Sequence, residues 1–157
     1  MIDDLYSSDV LRLAADIPHI GRLDAPDVSV RRVSRLCGSE LELDLQMDGN
    51  VVGDLALRVK ACALGQASAS VLGAHLMGAT ASEIVEARDA LKAMLKSGGP
   101  VPSGRFAALK ALEGARDYPA RHQSVMLAFE AAVEAIEGIT GQSTTGSTTG
   151  TTTRLTG

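Results

Sequence analysis

Two cysteines, Cys37 and Cys62, are the thiols of the chain. The first residues, Met-Ile-Asp-Asp-Leu, carry acid where an export or transit signal carries base, so the thiols are expected to stay reduced rather than to form a structural disulfide. A thiolate is both a nucleophile and a soft-metal ligand. Cys62 follows Lys60 by two residues and stands where a helix is expected to begin, a setting that brings positive charge to the sulfur. Gly38, Gly65 and the small Ala and Ser side chains around Cys62 leave room for a bulky metal–sulfur group. On spacing alone two isolated cysteines are more often inert, small hydrophobic residues than ligands, and two cysteines are half of a four-ligand soft-metal site.

What the thiols do depends on the elements that bring them together. Val28 and Val30 open a period-two pattern, and Leu41, Leu43, Leu45 and Met47 then alternate with Glu40, Glu42, Asp44 and Gln46, followed by Leu55, Leu57 and Val59. Asp48-Gly49-Asn50 is a hairpin turn signal. The pattern predicts a three-stranded antiparallel sheet with one apolar face and one solvated face bearing Glu40, Glu42, Asp44 and Asp54. In such a meander the strand 1–2 turn and the end of strand 3 lie at the same end of the sheet, so Cys37 and Cys62 become neighbours across 24 intervening residues.

Helical spacing surrounds this sheet. Ile2, Leu5, Val10, Leu11 and Leu13 predict a helix over 2–16, ahead of a loop through Gly21 and Pro26. Beyond Cys62 come a helix over Gln66–Met77 stopped by Gly78 and a capping box, Thr80 to Glu83, opening a helix that ends at Gly98-Gly99-Pro100. A short helix through Phe106, Leu109 and Leu112 ends at Gly114, and a last one is capped by Asp117, with Val125 or Met126, Phe129, Val133 and Ile136 as its stripe. The order predicts an α+β domain: an N-terminal helix, the three-stranded antiparallel sheet, then three to four helices packed on one face. The domain is expected to span residues 1–138. Residues 139–157 are nearly all Gly, Ser and Thr and are expected to be a disordered tail.

Composition narrows the function further. The chain has 157 residues, 45% of them apolar and 22% charged, with two Phe and two Tyr, so Leu, Val, Ile, Ala and Met must fill the core. A net charge of −4 gives no footprint for a nucleic-acid backbone, and no apolar run is long enough to span a membrane. A cytoplasmic protein without nucleic-acid or membrane partners is expected. No Gly-rich phosphate loop, catalytic triad or His-Glu-x-x-His motif is present.

Three motifs carry a resemblance. Leu36-Cys37-Gly38, then the alternating strands, then Lys60-Ala-Cys62-Ala-Leu-Gly65-Gln-Ala-Ser-Ala-Ser70 resemble the NifU/IscU iron-sulfur assembly scaffold family, including its SufU-like members. There, Cys-Gly-Asp and Gly-Cys-Ala-Ile-Ser-x-Ala-Ser occupy these places. The family's Pro-x-Arg-x-x-Cys, opening its last helix, is matched by Pro119-Ala-Arg121-His122-Gln123-Ser124. The resemblance covers about residues 1 to 138. It implies an IscU/SufE-like fold and a non-enzymatic carrier that accepts iron and sulfur, the latter from a cysteine desulfurase, and passes clusters to client apo-proteins.

By that resemblance Cys37 and Cys62 are the metal or persulfide thiols, and the cargo is a transient iron-sulfur cluster, [2Fe-2S] among the candidates, or zinc. Two family positions depart: Ser39 replaces the Asp after Cys-Gly, and Ser124 replaces the third cysteine. A serine hydroxyl is a harder and poorer donor to iron or zinc than a thiolate. Ser39, Ser124 and His122 are therefore weaker ligand candidates. Completion from Glu40, a small thiol or the cysteines of a second subunit in a homodimer stays open. Lys60 and Arg121 are candidates to hold sulfur or a partner electrostatically, with an Arg121–Asp117 ion pair as the structural alternative. His75 is expected to be partly buried in its helix and His19 to lie in a loop. Besides the scaffold, a sulfur-relay partner of a desulfurase and a docking module without metal remain possible readings.

Overall fold

The computed structural model describes residues 7–35 and 38–140. Period-two alternation produces β1 (Val28–Ser34), β2 (Ser39–Asp48) and β3 (Val51–Lys60), an antiparallel meander in the order β1-β2-β3. Ser34 pairs with Ser39 at one end of the first ladder and Glu40 with Lys60 at the same end of the second. The opposite end closes at the Asp48-Gly49-Asn50 turn, where Gly49 takes φ 68°, a conformation that suits glycine. The inner face buries Val28, Val30, Leu41, Leu43, Leu45, Leu55 and Leu57. Both stretches that bridge onto the outer edge of β3 are short: Ile20 pairs with Leu57 and Thr80 with Val51.

The helices are α1 (Ser8–Ala15), α2 (Ala63–His75), α3 (Ala81–Lys96) and α4 (Pro119–Thr140), with a 3-10 segment over Gly104–Asp117 between the last two. Ser7 caps α1, its Oγ accepting from Val10 N at 3.3 Å. Thr80 and Glu83 form the expected capping box on α3. α4 lies against β1 and β2 on one side and α2 and α3 on the other. Phe129 on α4 meets Phe106 edge-to-face at 5.4 Å. The α+β expectation holds.

Local differences have local causes. Residues 1–6, which begin the expected first helix, lie outside the described residues. α2 starts at Ala63, three residues before Gln66, because Cys62 is extended (φ −69°, ψ 173°) and already serves as N-cap. The short helix does not stop at Gly114 but continues as 3-10 turns to Asp117. Asp117 does not cap α4. The chain turns at Tyr118 (φ −126°, ψ 76°), and Pro119 opens the helix at the position where its missing N–H costs nothing. α4 runs to Thr140, and the expected tail beyond it lies outside the described residues.

Two packing features fix the end of the sheet where β3 passes into α2. The first is close helix contact. A Cβ on Gly65 would stand 2.6 Å from Ser124 Oγ and 2.8 Å from Ala61 Cβ, so only glycine lets α2 approach α4 there. Ser68 Oγ strengthens the contact by donating to Val125 O at 2.7 Å. The second is an ion cluster that departs from the solvated face expected for Asp44. Asp44 is 3% exposed and accepts from Arg58 at 2.9 and 3.1 Å, Ser29 Oγ at 2.7 Å and Leu23 N at 3.0 Å. Arg58 also reaches Glu42 and Gly21 O, so the cluster ties the loop after α1 to the sheet. An opposite charge and two further donors, rather than solvent, make this burial tolerable.

Burial alone would raise the Asp44 pKa, but hydrogen bonds from Arg58, Leu23 and Ser29 outweigh it and hold the carboxyl below its usual value. A lowered folded pKa adds stability that is complete above the unfolded carboxylate value of about 3.9 and is lost as pH falls through the lower folded value. Asp44→Asn is therefore expected to cost about 3 kcal/mol near neutrality, by leaving Arg58 without its buried partner. Denaturant unfolding of both proteins at several pH values checks this, and the gap should narrow below about pH 4. Gly65→Ala is expected to destabilise by about 1–3 kcal/mol through overpacking against Ser124, despite alanine's better helix propensity. Thermal unfolding of the variant reads that sign directly.

Candidate thiol site

Cys62 ends the stretch after β3 as the N-cap of α2 and makes no side-chain cap bond. Its sulfur is consequently free of the helix's own amides and turns to α4, where Sγ lies 3.3 Å from Ser124 Oγ. Ser124 Oγ in turn lies 3.1 Å from Ser39 Oγ, the first residue of β2. Three elements thus meet at one row of side chains. Both hydroxyls are buried, Ser39 2% and Ser124 0% exposed, whereas Cys62 is half-buried and free of any disulfide. The next contact outward, Ser34 Oγ donating to Gln123 Oε1 at 2.7 Å, fixes the first turn of α4 to the end of β1.

The row has a direction when the sulfur is an anion. A hydroxyl has one proton, so Ser124 then donates to Sγ and accepts from Ser39. Bonds aligned in this way polarise one another. Cys62 packs against the edge of the core and bonds to the row while staying partly exposed, which leaves its sulfur accessible to a reactant or a metal.

Among the described residues, His, Cys, Asp and Glu side chains form no group of three. Cys37 lies outside the described residues. Its neighbours close the β1–β2 connection, with Gly38 N donating to Ser34 O at 2.9 Å and Gly38 at φ 70°. That connection stands at the same end of the sheet as Cys62, as the Ser34–Ser39 and Glu40–Lys60 pairings require.

The other candidates separate. His122 is buried rather than solvated, and its Nε2 lies 3.0 Å from Ala115 O and 3.2 Å from Arg116 O, so it secures the entry to α4. Glu40 pairs with Arg31 at 3.0 Å. Lys60 is exposed at the end of β3, and Arg121 is half-exposed in the first turn of α4. Neither forms an ion pair among the described residues, and the alternative of an Arg121–Asp117 pair is not formed. His75 is half-buried and meets Phe106 edge-on at 6.4 Å. The Asp44–Arg58 cluster escaped sequence reading because its residues alternate like those of any solvated strand face. The one available signal was the Ser29, Asp44 and Arg58 positions sharing a face once the register is drawn.

Comparison with known proteins places this geometry. The profile of the NifU-like N-terminal domain matches residues 5–125. A NifU-like N-terminal protein from Brucella abortus is 47% identical and superposes with a TM-score of 0.88, covering 90% of this chain and 99% of that one. The iron-sulfur cluster assembly scaffold protein IscU of Thermotoga maritima is 27% identical over 135 residues, 86% of this chain and 94% of its own length. A SUF-system protein of Fervidobacterium islandicum AW-1, at 20% identity, shares the fold with a TM-score of 0.78 over 84% of this chain and 96% of that one. With a matching profile over residues 5–125 and a shared overall fold, the chain belongs to the NifU-like N-terminal domain family.

Proposed function

We propose that the protein is a non-catalytic scaffold for iron-sulfur cluster assembly, carrying its cargo on Cys37 and Cys62. The observation that supports this most is the open, half-buried Cys62 thiol at the meeting point of β2, α2 and α4, in a chain whose relative from Thermotoga maritima is an iron-sulfur cluster assembly scaffold. The donor set suits a transient guest better than a resident one. Two thiolates satisfy half of the four positions a cluster's irons present to protein ligands. Ser39 and Ser124 are hard donors already hydrogen-bonded to each other. The remaining positions are filled by a small thiol or by the cysteines of a second subunit, and [2Fe-2S] is one of the clusters such a four-donor set accepts. Zinc would occupy the same two thiols. A cysteine desulfurase supplies the sulfur, client apo-proteins receive the cluster, and the work takes place in the cytoplasm. No helix among the described residues is long and apolar enough to cross a membrane.

The hydroxyl row also supports a second reading, in which Cys62 alone relays sulfur from a desulfurase and no metal is held. A single thiol with ordered hydrogen-bond donors is what such a relay needs.

Anaerobic reconstitution with iron, inorganic sulfide and a small thiol separates the two. The scaffold is expected to give a visible sulfur-to-iron charge-transfer chromophore with matching iron and sulfide counts, abolished in Cys37→Ala and in Cys62→Ala. Colourless protein without bound iron sinks the scaffold and leaves the relay. Ser124→Cys is expected to place a third thiol beside Cys62 and to slow chromophore loss to a chelator severalfold. Equal loss rates in the variant and the parent chain would show that position 124 does not face the cargo.

A further inference from the structure

The backbone around Ser124 is pinned by three other elements. His122 Nε2 meets Ala115 O and Arg116 O of the 3-10 segment, Gln123 Oε1 accepts from Ser34 Oγ of β1, and Val125 O accepts from Ser68 Oγ of α2. The hydroxyl is enclosed as tightly. Ser124 Oγ lies 3.3 Å from Cys62 Sγ and 3.1 Å from Ser39 Oγ, and it fills the space a side chain on Gly65 would need, 2.6 Å from a Cβ built there. Ser124 and Ser39 are buried, whereas Cys62 is half-buried. Cargo therefore reaches the sulfur from solvent, and the hydroxyl meets it from within.

A hydrogen bond from Ser124 acts differently on the loaded and the empty sulfur. A thiolate bound to iron shares its charge with the metal, and one that has let go carries the whole charge. Hydrogen bonds to an ion strengthen with its charge, so this bond stabilises the empty thiolate more than the loaded one. A difference of that kind shifts the balance between two states, and its sign here is towards release. Ser39 adds to the effect at one remove, because an oxygen that accepts a hydrogen bond donates its own proton more strongly.

We infer that Ser124 promotes release at the thiol site, as a hydrogen-bond donor to Cys62 and not as a ligand to the cargo, and that Ser39 is a positioning residue acting through it. The inference rests on the scaffold reading for what Cys62 carries. It separates roles of opposite sign. Removing a hydroxyl that ligates iron weakens the hold, and removing one that only supports packing loosens the site around the sulfur. Removing a hydroxyl that donates to the sulfur tightens the hold.

The test compares the full chain with Ser124→Ala, Ser39→Ala and the double variant. Each is reconstituted anaerobically with iron, inorganic sulfide and a small thiol and then mixed with excess chelator. Ser124→Ala is expected to lose its chromophore about three- to tenfold more slowly than the parent, the worth of one hydrogen bond. Its sulfur-to-iron band is expected to move to longer wavelength, because the sulfur lone pairs rise in energy once the bond is gone. Ser39→Ala is expected to be slower by about twofold, and the double variant to match Ser124→Ala. A thermal melt checks the fold of each, and Ser39→Ala carries the same sign where Ser124→Ala does not fold. A metal-free readout accompanies the rates. In a Cys37→Ala background Cys62 is the one thiol of the chain, and its S–H stretching band is expected to shift when Ser124→Ala is added. Faster or equal chromophore loss from Ser124→Ala overturns the inference, and so does an S–H band that ignores the substitution. A double variant slower than Ser124→Ala takes Ser39 out of the relay. A colourless parent chain sinks the scaffold reading and the release role with it, whereas a coloured parent with unchanged rates in the variants loses only this inference.

Discussion

The near-contact of α2 and α4 at Gly65 is the constraint on which the site depends. With a built Cβ only 2.6 Å from Ser124 Oγ, the two helices are as close as their backbones allow. That approach sets the distance between the N-cap of α2, which is Cys62, and the second turn of α4, which carries Ser124. The Ser68–Val125 bond locks the helices in register one turn further along. The β1–β2 end of the sheet is then drawn onto α4 by Ser34–Gln123 and Ser39–Ser124. A bulkier helix contact would separate these groups by ångströms, and hydrogen bonds lose their strength over that range.

The rest of the molecule holds this arrangement from a distance. The Asp44–Arg58 cluster fixes the loop after α1 across the outer face of the sheet, while Arg32–Glu134 at 2.8 Å ties β1 to α4. The first is a buried charge pair saturated by neighbours. In the second, burial raises the Glu134 pKa even though Arg32 opposes it. His122 closes the joint between the 3-10 segment and α4 by bonding two successive carbonyls, so the helix that presents Ser124 has a fixed starting point. Each tie ends on β2 or α4, the elements that carry Ser39 and Ser124 of the thiol row.

Much of this was legible in the residues because the code for it is periodic. Alternation over Leu41–Met47 and the Asp48-Gly49-Asn50 turn give strands and their order, and strand order alone puts the β1–β2 turn and the β3 end side by side. Thr80 and Glu83 mark their helix start correctly because a capping box is a local interaction. The failures are equally physical. Asp117 resembles a cap, but Pro119 sets the start of α4 by its own backbone geometry. Asp44 reads as solvated because alternation reports which face a side chain is on and not what lies above that face. The loop that covers it is brought back by tertiary contacts to Leu57 and Arg58. The Ser39–Ser124–Cys62 row joins residues 85 and 62 positions apart, and no sequence period encodes such distances.

On the proposed scaffold reading, the hydroxyls bear on how firmly Cys62 would hold its cargo. A lone pair on Cys62 that accepts a hydrogen bond from Ser124 is less available to a metal, so each bond in the row withdraws donor strength from the thiolate. Both serines are buried and bonded to each other, and pulling either hydroxyl onto an iron would break a satisfied contact and leave its partner short of one. Three thiolates in the same space would repel one another until a cation arrived, whereas a hydroxyl pair beside one thiol is a settled hydrogen-bonded arrangement without any guest. The Ser39–Ser124–Cys62 row is therefore hydrogen-bonded without any guest, and its hydroxyls would make it a weak ligand set for one. A carrier gains from both properties, since the loading surface needs no metal to form and the cargo meets a low barrier on leaving.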